Sequence, residues 1–294
     1  MSHTHQVGFG SIWVSAALIF AAMVYLTEWL RFRRLDRESV GGWHSASFAL
    51  GLLFTWDATA SPLSVFDHEM LTAHMVQHLL LMTLAPPLIL LGVPVKPLVH
   101  GPLQRFLQAI ARPLRSAPMQ KIGRALAHPA LCWFAAAGAL VVWHIPWMFT
   151  LGLRSQMWHG IEQVSFLASG LLFWWPVVKP CRSASKWPES SLLVYLFLAT
   201  LPCDILSGFL VFCDRVVYPV FLSSPRSFGL SALEDQQCAG ALMWTCVTIV
   251  YLIAAAIVTA RLLSSHGSQE YAIRQSETRA VALRKNDVQR MEVV

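Results

Sequence analysis

Seven apolar segments, each long enough to cross a bilayer as a helix, constrain the fold of this chain more than any other feature. A helix rises about 1.5 Å per residue, so roughly 20 apolar residues cross the hydrocarbon core. Charged residues make up only 13% of the sequence, against about 25% in an ordinary soluble domain. We therefore predict an all-α membrane protein with seven transmembrane helices. The predicted spans are residues 9–30, 43–60, 69–92, 129–153, 157–178, 190–212 and 237–262.

The seven spans form one predicted transmembrane domain over residues 1–262, and the polar residues 263–294 form a tail. No Lys or Arg precedes the first apolar segment, and no small-residue cleavage site follows it. We therefore expect that segment to stay in the membrane rather than to act as a cleaved signal peptide. The connection 93–128 contains several prolines and basic amphipathic pieces, which we expect to lie on the membrane surface.

Basic residues are distributed unevenly among the connections between the spans. Of the 22 Lys and Arg residues, 19 fall after the first, third and fifth spans or in the tail. Because short basic connections face the cytoplasm, the N-terminus is predicted outside and the tail inside. This orientation accounts for the net charge of +6, and we expect no nucleic-acid partner.

The third span carries two histidines, His74 and His78, spaced four residues apart. Residues at this spacing share one face of a helix. Ionisable side chains within a membrane span are rare and usually functional, and imidazole is the commonest side-chain metal ligand. The pair therefore indicates either a metal site or two hydrogen bonds between helices.

The predicted orientation places further polar groups at the same depth as this pair. His74, His78, His144, His159 and Glu162 all come out about 5 to 13 Å below the outer boundary, counting about 1.5 Å per residue. Convergence from three separate spans predicts one metal site. Glu162, three residues after His159, either ligates the ion or holds an imidazole in place. The predicted supporting residues are Asp57, Asp67, His68, Asp204, Asp235, Gln236 and Met243.

Cysteine spacing adds little to this picture. None of the six cysteines forms a C-x-x-C pair, so the usual zinc and redox motifs are absent. Cys213 and Cys238 flank an outer connection, where they would form a disulfide or donate thiolates to copper. Cys132, Cys203 and Cys246 are interpreted as small buried apolar residues, and Asp235 as a helix N-cap.

Five stretches combine polar residues with apolar helices in a recognisable pattern. They are HMVQHLLLMTLAPPLILLG, WHIPWMFTLGL, HGIEQVSFLASGLLFWWPVV, DRVVYP and LEDQQCAGALMW. Through them the chain resembles, over about residues 43–262, the bacterial cytochrome c oxidase assembly factor family of the CtaG seven-span type. It departs from the family at LPCDILSGF, where Cys203 and Asp204 interrupt a run expected to be more apolar.

The resemblance implies a multi-pass protein of the bacterial cytoplasmic (inner) membrane that acts as a chaperone in maturing haem-copper oxidase. It implies copper handling on the outer side, with oxidase subunits or periplasmic copper chaperones as partners within the lipid bilayer. The positions that carry over from the family are His74, His78, His144, His159, Glu162, Asp235, Gln236 and Met243.

The resulting hypothesis is a copper-handling assembly factor and not an enzyme. Imidazole and thioether ligands suit copper in either oxidation state. Three alternatives stay open: an intramembrane zinc-dependent hydrolase with Glu162 or Asp57 as base, a haem protein with His78 and His144 as axial ligands, and a transporter. No H-E-x-x-H motif supports the hydrolase. Polar groups confined to the outer half of the membrane argue against the transporter.

Overall fold

The computed structural model describes residues 9–35, 42–61, 66–92, 123, 128–178, 188, 190–224 and 229–291, with side chains no further than Ser264. Every regular element in these ranges is helical, which confirms the predicted all-α class. The helices are α1 Phe9–Leu35, α2 Gly42–Ala60, α3 Leu71–Leu79, a π-helical turn Leu80–Leu84, α4 Ala85–Gly92, α5 Pro129–His144, α6 Pro146–Arg154, α7 Gln156–Val178, α8 Ser191–Phe212, a 3₁₀ turn Pro219–Ser223 and α9 Ala232–Met291.

Five stretches of helix are long and apolar enough to cross a membrane, and α5 with α6 makes a sixth if the two form one broken span. Large apolar side chains such as Ile205 and Phe212 are 73% and 78% exposed, as lipid-facing positions are. The protein is therefore a multi-pass membrane protein. The predicted second span is the helix α2, which falls outside this set, so seven spans and the orientation stay predictions. The five stretches are Ser11–Arg31, Leu71–Gly92, Gln156–Val178, Ser191–Phe212 and Ala232–Ser264.

The predicted single span 129–153 consists of two helices that meet at 77°. Ile145, between them, has an extended backbone with φ −64° and ψ 127°. Pro146 causes the break, since it lacks an N–H donor and disfavours helical geometry in the residue before it. As a result α6 turns across the end of α5, which brings Phe149 against His74, with ring centroids 4.8 Å apart.

The stretch Leu71–Gly92 lies at the centre of the helix assembly, with 61% of its apolar window buried inside the protein. Its first part, α3, packs against α9, while the π turn and α4 pack against α2 and α7. The apolar core surrounds this stretch. It contains Leu71 and Met75 of α3, together with Phe173 of α7 and Leu196 of α8. Side chains on α3 therefore face the interior from several directions.

The irregularity of this span is the π turn Leu80–Leu84, which lies one turn before Pro86 and Pro87. Neither proline has an N–H, so the Met82 carbonyl has no donor four or five residues further on. It accepts a hydrogen bond from Trp174 Nε1 at 3.2 Å instead. Gly170 permits this approach, because a Cβ there would lie 2.7 Å from the Met82 oxygen. Such π turns are frequent at functional sites.

The final helix, α9, extends beyond the predicted seventh span at both ends, from Ala232 to Met291. Only its first part, to Ser264, is apolar enough to lie in a membrane, and the predicted polar tail continues as helix. The predicted surface-lying pieces of the connection 93–128 fall outside the described residues, apart from 123 and 128.

Candidate metal centre

Two helices supply a cluster of four buried or nearly buried side chains. His74 and His78 come from α3, and His159 and Glu162 come from α7; together we call them the His–Glu cluster. Glu162 Oε1 lies 3.6 Å from His74 Nε2 and 3.3 Å from His78 Nε2. Its other oxygen, Oε2, lies 3.6 Å from His159 Nδ1. One carboxylate, 1% exposed, thus faces three imidazoles.

The contacts in the cluster are short but lack hydrogen-bond geometry. Both ring nitrogens of His74 and His78 and both oxygens of Glu162 are buried without a hydrogen-bond partner. Unpartnered buried polar atoms cost about 1–3 kcal/mol each, so a protein rarely keeps several together without a ligand. Donors on one ion with bonds of about 2 Å lie roughly 3–4 Å apart, which agrees with the observed spacings. The residues therefore fit a metal ion.

A second group of donors overlaps the first. Asp67, His74 and His159 bring ligand atoms within 4.8 Å of one another, as do His74, His78 and Glu162. Asp67 Oδ2 lies 3.3 Å from His159 Nε2. The two groups share His74, so the donor atoms form a continuous series from Asp67 to Glu162.

The outer end of this series reaches the surface at His68. Its ring is 55% exposed, with Nε2 3.5 Å from Asp67 Oδ1. Burial opposes ionisation of Asp67, but the hydrogen bond with His159 and the nearby charges of His68 and His159 hold its pKa below the ordinary value. An anionic carboxylate thus stands between an exposed imidazole and the buried cluster.

His144 lies beside the cluster but in neither donor group. Its ring centroid is 5.6 Å from that of His78. Its Nδ1 lies 2.7 Å from the Leu140 carbonyl oxygen and its Nε2 lies 3.3 Å from Met75 Sδ. Tyr218 donates a hydrogen bond of 3.0 Å to the His144 carbonyl. A ligand role for His144 therefore stays a prediction.

Comparison with known proteins assigns the chain to a family. The family model described as cytochrome c oxidase caa3 assembly factor matches residues 23–265. The chain belongs to this family. The match covers most of the chain and confirms the resemblance seen in the sequence.

This member of the caa3 assembly-factor family is similar to a curated protein, an uncharacterized protein of Mycobacterium leprae (strain TN). The two sequences are 22% identical. The alignment covers 93% of this chain but 42% of the relative, so the chain spans less than half of the relative's length. No solved structure matches the chain.

In this chain, Asp235 caps a helix other than its own. Its Oδ2 accepts a hydrogen bond of 2.6 Å from the Leu71 N–H, and its Oδ1 accepts one of 3.1 Å from the Thr72 N–H. The start of α9 is capped by Ser231 and Glu234, which exchange hydrogen bonds as a capping box. The prediction of Asp235 as the N-cap of its own span was therefore wrong, because Ser231 and Glu234 cap α9. Asp235 instead fixes the start of α3, the helix that carries His74 and His78.

Gln236, the next residue, holds the segment that precedes the 3₁₀ turn. Its Oε1 accepts from the Val217 N–H at 2.7 Å, and its Nε2 donates to the Leu210 and Arg215 carbonyls at 3.3 and 3.1 Å. This segment presents Tyr218, which stacks on Phe149 with centroids 4.0 Å apart. Gln236 therefore supports the wall of the cluster and supplies it with no ligand atom.

The remaining predicted supporting residues lie outside both donor groups, as far as the described residues extend. Asp57 is half-buried on α2, Asp204 has a buried Oδ1 without a partner, and Met243 is buried on α9.

No described cysteine forms a disulfide, Cys213 and Cys238 included. Cys132 and Cys203 are buried as predicted, whereas Cys246 is exposed. The prediction of burial was wrong for Cys246 because α9 turns that position away from the core.

Sequence reasoning missed two glutamines near the cluster. Gln77 is fully buried, and both its amide atoms lack a partner. Gln163 places its Nε2 2.8 Å from His159 Nε2. The signal was present, since Gln77 is three residues from His74 and Gln163 is four from His159, both helical same-face spacings.

Proposed function

We propose that this protein serves in cytochrome c oxidase assembly by binding copper at the His–Glu cluster and passing it on. The observation that carries the proposal is the buried Glu162 carboxylate surrounded by three imidazoles, with its oxygens and the nitrogens of His74 and His78 unpartnered. Family membership supplies the oxidase context, and the donor set supplies the metal chemistry.

Copper is the ion that these donors favour. Nitrogen and oxygen sites bind divalent first-row metals with increasing affinity up to copper, which exceeds zinc. The charge of a carboxylate balances part of the charge of the ion in a region that excludes water. Copper here is cargo, so the ligands must release the ion as well as hold it.

The two overlapping donor groups support a route for loading and release. An ion that first binds the exposed His68 would pass to Asp67, then to His74 and His159, and then to Glu162. Because His74 belongs to both groups, the ion would keep at least one ligand while it moves. We place the exposed end of this route at the outer face of the bacterial cytoplasmic membrane. There an oxidase subunit or a copper chaperone would exchange the ion.

Two other functions fit the geometry less well. A zinc hydrolase needs a carboxylate free to act as base, whereas Glu162 lies against three imidazoles as a ligand does. A haem needs space beside its axial histidine. The cavity next to His78 measures about 40 Å³, enough for a few waters but not for a macrocycle. A second cavity, of about 1160 Å³, is lined by His144, but the two ring nitrogens of His144 already lie against the Leu140 carbonyl and Met75 Sδ.

The proposal is tested by complementation in a bacterium that lacks its own member of the family. The wild-type chain should restore haem-copper oxidase activity, and Glu162→Gln should not, at equal protein level in the membrane. His44→Ala is the control, since His44 lies at the start of α2, beside Trp43 and outside both donor groups. Full activity with Glu162→Gln would remove the cluster from the function.

A further inference from the structure

A small cavity adjoins the His–Glu cluster, and several of its lining side chains contain sulfur. Its volume is about 40 Å³, and it is enclosed by α3, the π turn, α5, α7, α8 and α9. We call it the sulfur cavity. Its sulfur-bearing lining residues are Met75, Met82, Cys203 and Met243, and His78 also lines it.

The lining is unusual for a packing defect. Methionine normally fills irregular gaps in a core, because its chain is flexible and its thioether polarizable. Here three methionines and a cysteine from three separate parts of the chain line one space, together with apolar and aromatic side chains. Cys203 is 4% exposed and Met243 is 3% exposed, so their sulfur atoms are shielded from water.

The sulfur cavity also holds an unpartnered polar group. His78 is 5% exposed, and neither of its ring nitrogens has a hydrogen-bond partner. His78 belongs both to the His–Glu cluster and to the lining of the sulfur cavity. Across the cavity wall, Met75 Sδ lies 3.3 Å from His144 Nε2, so this sulfur is turned toward the histidines.

The π turn contributes directly to this arrangement. Met82 and Thr83, both within Leu80–Leu84, line the cavity. The carbonyl of Met82 is held by Trp174, and Gly170 lets α7 approach closely. The π turn thus widens the helix of this span locally, just beyond His78.

From this geometry we propose that the sulfur cavity is a binding site for monovalent copper, with Met75, Met243, Cys203 and His78 as its ligands. Thioether and thiolate ligands select Cu(I), whereas imidazole and carboxylate also take Cu(II). An apolar cavity favours an ion of lower charge. The inference rests on the proposed function and extends it, because the two neighbouring sites would separate copper by oxidation state. No electron transfer within the protein is required.

Silver provides the test, since Ag⁺ is a soft monovalent ion with no accessible second oxidation state. The full chain is purified in detergent and titrated with Ag⁺, together with Met75→Leu, Met243→Leu and Cys203→Ala. Leucine conserves the volume of methionine, so the exchange is usually well tolerated in a core. We expect each variant to bind Ag⁺ roughly 10- to 100-fold more weakly, with a melting temperature close to that of the wild type.

Met157→Leu is the matched control, because Met157 lies on α7 with its side chain 65% exposed. Cys246→Ala is the corresponding exposed cysteine. Both should bind Ag⁺ as the wild type does. Wild-type affinity in all three cavity variants would overturn the proposal, as would an equal loss of affinity in the controls. X-ray absorption of the Cu(I)-loaded wild type should show a sulfur shell, and a shell of nitrogen and oxygen alone would overturn the proposal.

A second pair of measurements separates this inference from the proposed function. The variant His74→Ala with Glu162→Gln should lose Cu(II) binding and keep Ag⁺ binding. Loss of both ions would mean a single site and would overturn the sulfur cavity while leaving the cluster intact. Retention of Cu(II) in that variant, with Ag⁺ still dependent on the methionines, would instead refute the cluster and support the cavity.

Discussion

Asp235 Oδ2 accepts a hydrogen bond of 2.6 Å from the backbone N–H of Leu71, a residue 164 positions earlier in the chain. The contact joins the first turn of α9 to the first turn of α3. His74 is three residues beyond Leu71, so the same contact fixes the position of the helical turn that carries the first imidazole of α3. A side chain outside both donor groups thus positions part of the His–Glu cluster.

Asp235→Ala should weaken both stability and copper binding. Loss of a helix cap costs about 0.5–2 kcal/mol, and the freed N–H groups of Leu71 and Thr72 are partly or wholly buried. Asp235→Asn, which can still cap, should be milder. Thermal unfolding and copper titration measure the two effects. Glu234→Ala is the matched control, since it removes a cap from α9 itself and should lower stability while copper affinity stays unchanged.

Glu162→Gln should remove the stabilisation that copper gives. A ligand that binds only the native state adds about 2.7 kcal/mol at a free concentration of 100 Kd. We expect copper to raise the melting temperature of the wild type and to leave that of Glu162→Gln unchanged. The metal-free variant should melt somewhat lower than the wild type, because the amide gives up the charge interaction with the three imidazoles. An equal rise with copper in both proteins would refute the role of this carboxylate.

Gly152→Ala should disturb the cluster from the side of α6. A Cβ at this position would lie 2.8 Å from Glu162 Oε2, closer than side chains tolerate. Because that oxygen is the end of a side chain and must shift, we expect a weaker copper affinity and a destabilisation of about 1 kcal/mol. Gly138→Ala is the control, since a Cβ there meets nothing within 4 Å. It should raise stability by about 0.5–1 kcal/mol, because alanine favours helix.

Trp174→Phe should destabilise the π turn. The Met82 carbonyl would lose its hydrogen-bond donor and stay buried, at a cost of about 1–3 kcal/mol. The sulfur cavity contains Met82, so Ag⁺ affinity should fall as well, while Cu(II) affinity should change little. Trp175→Phe is a neighbouring control on the exposed side of α7, where Trp175 is 42% exposed. Equal effects of the two variants would show that the indole donor of Trp174 is unimportant.

Much of the fold could be predicted because it depends on local pattern. Apolar segments set the helices, and four-residue and three-residue spacings placed His74 with His78 and His159 with Glu162. Their shared depth in neighbouring spans then predicted that α3 and α7 would meet at these residues, and the distances around Glu162 agree.

The rest depended on contacts between distant parts of the chain or on a single residue. Pro146 breaks one predicted span into α5 and α6, although the apolar composition continues across it. The partner of Asp235 belongs to another helix, which no local pattern specifies. The sulfur-bearing residues of the sulfur cavity come from three regions far apart in sequence, so Cys203 looked like a departure from the family and not like part of a lining.

The central claim is that the His–Glu cluster binds copper, and elemental analysis of the purified protein tests it most directly. The full chain is loaded with Cu(II), freed of unbound metal and compared with Glu162→Gln, His74→Ala and His78→Ala, with His44→Ala as control. We predict copper in the wild type and the control, and little or none in the three cluster variants. Wild-type copper content in all three, at equal folding, would contradict the claim.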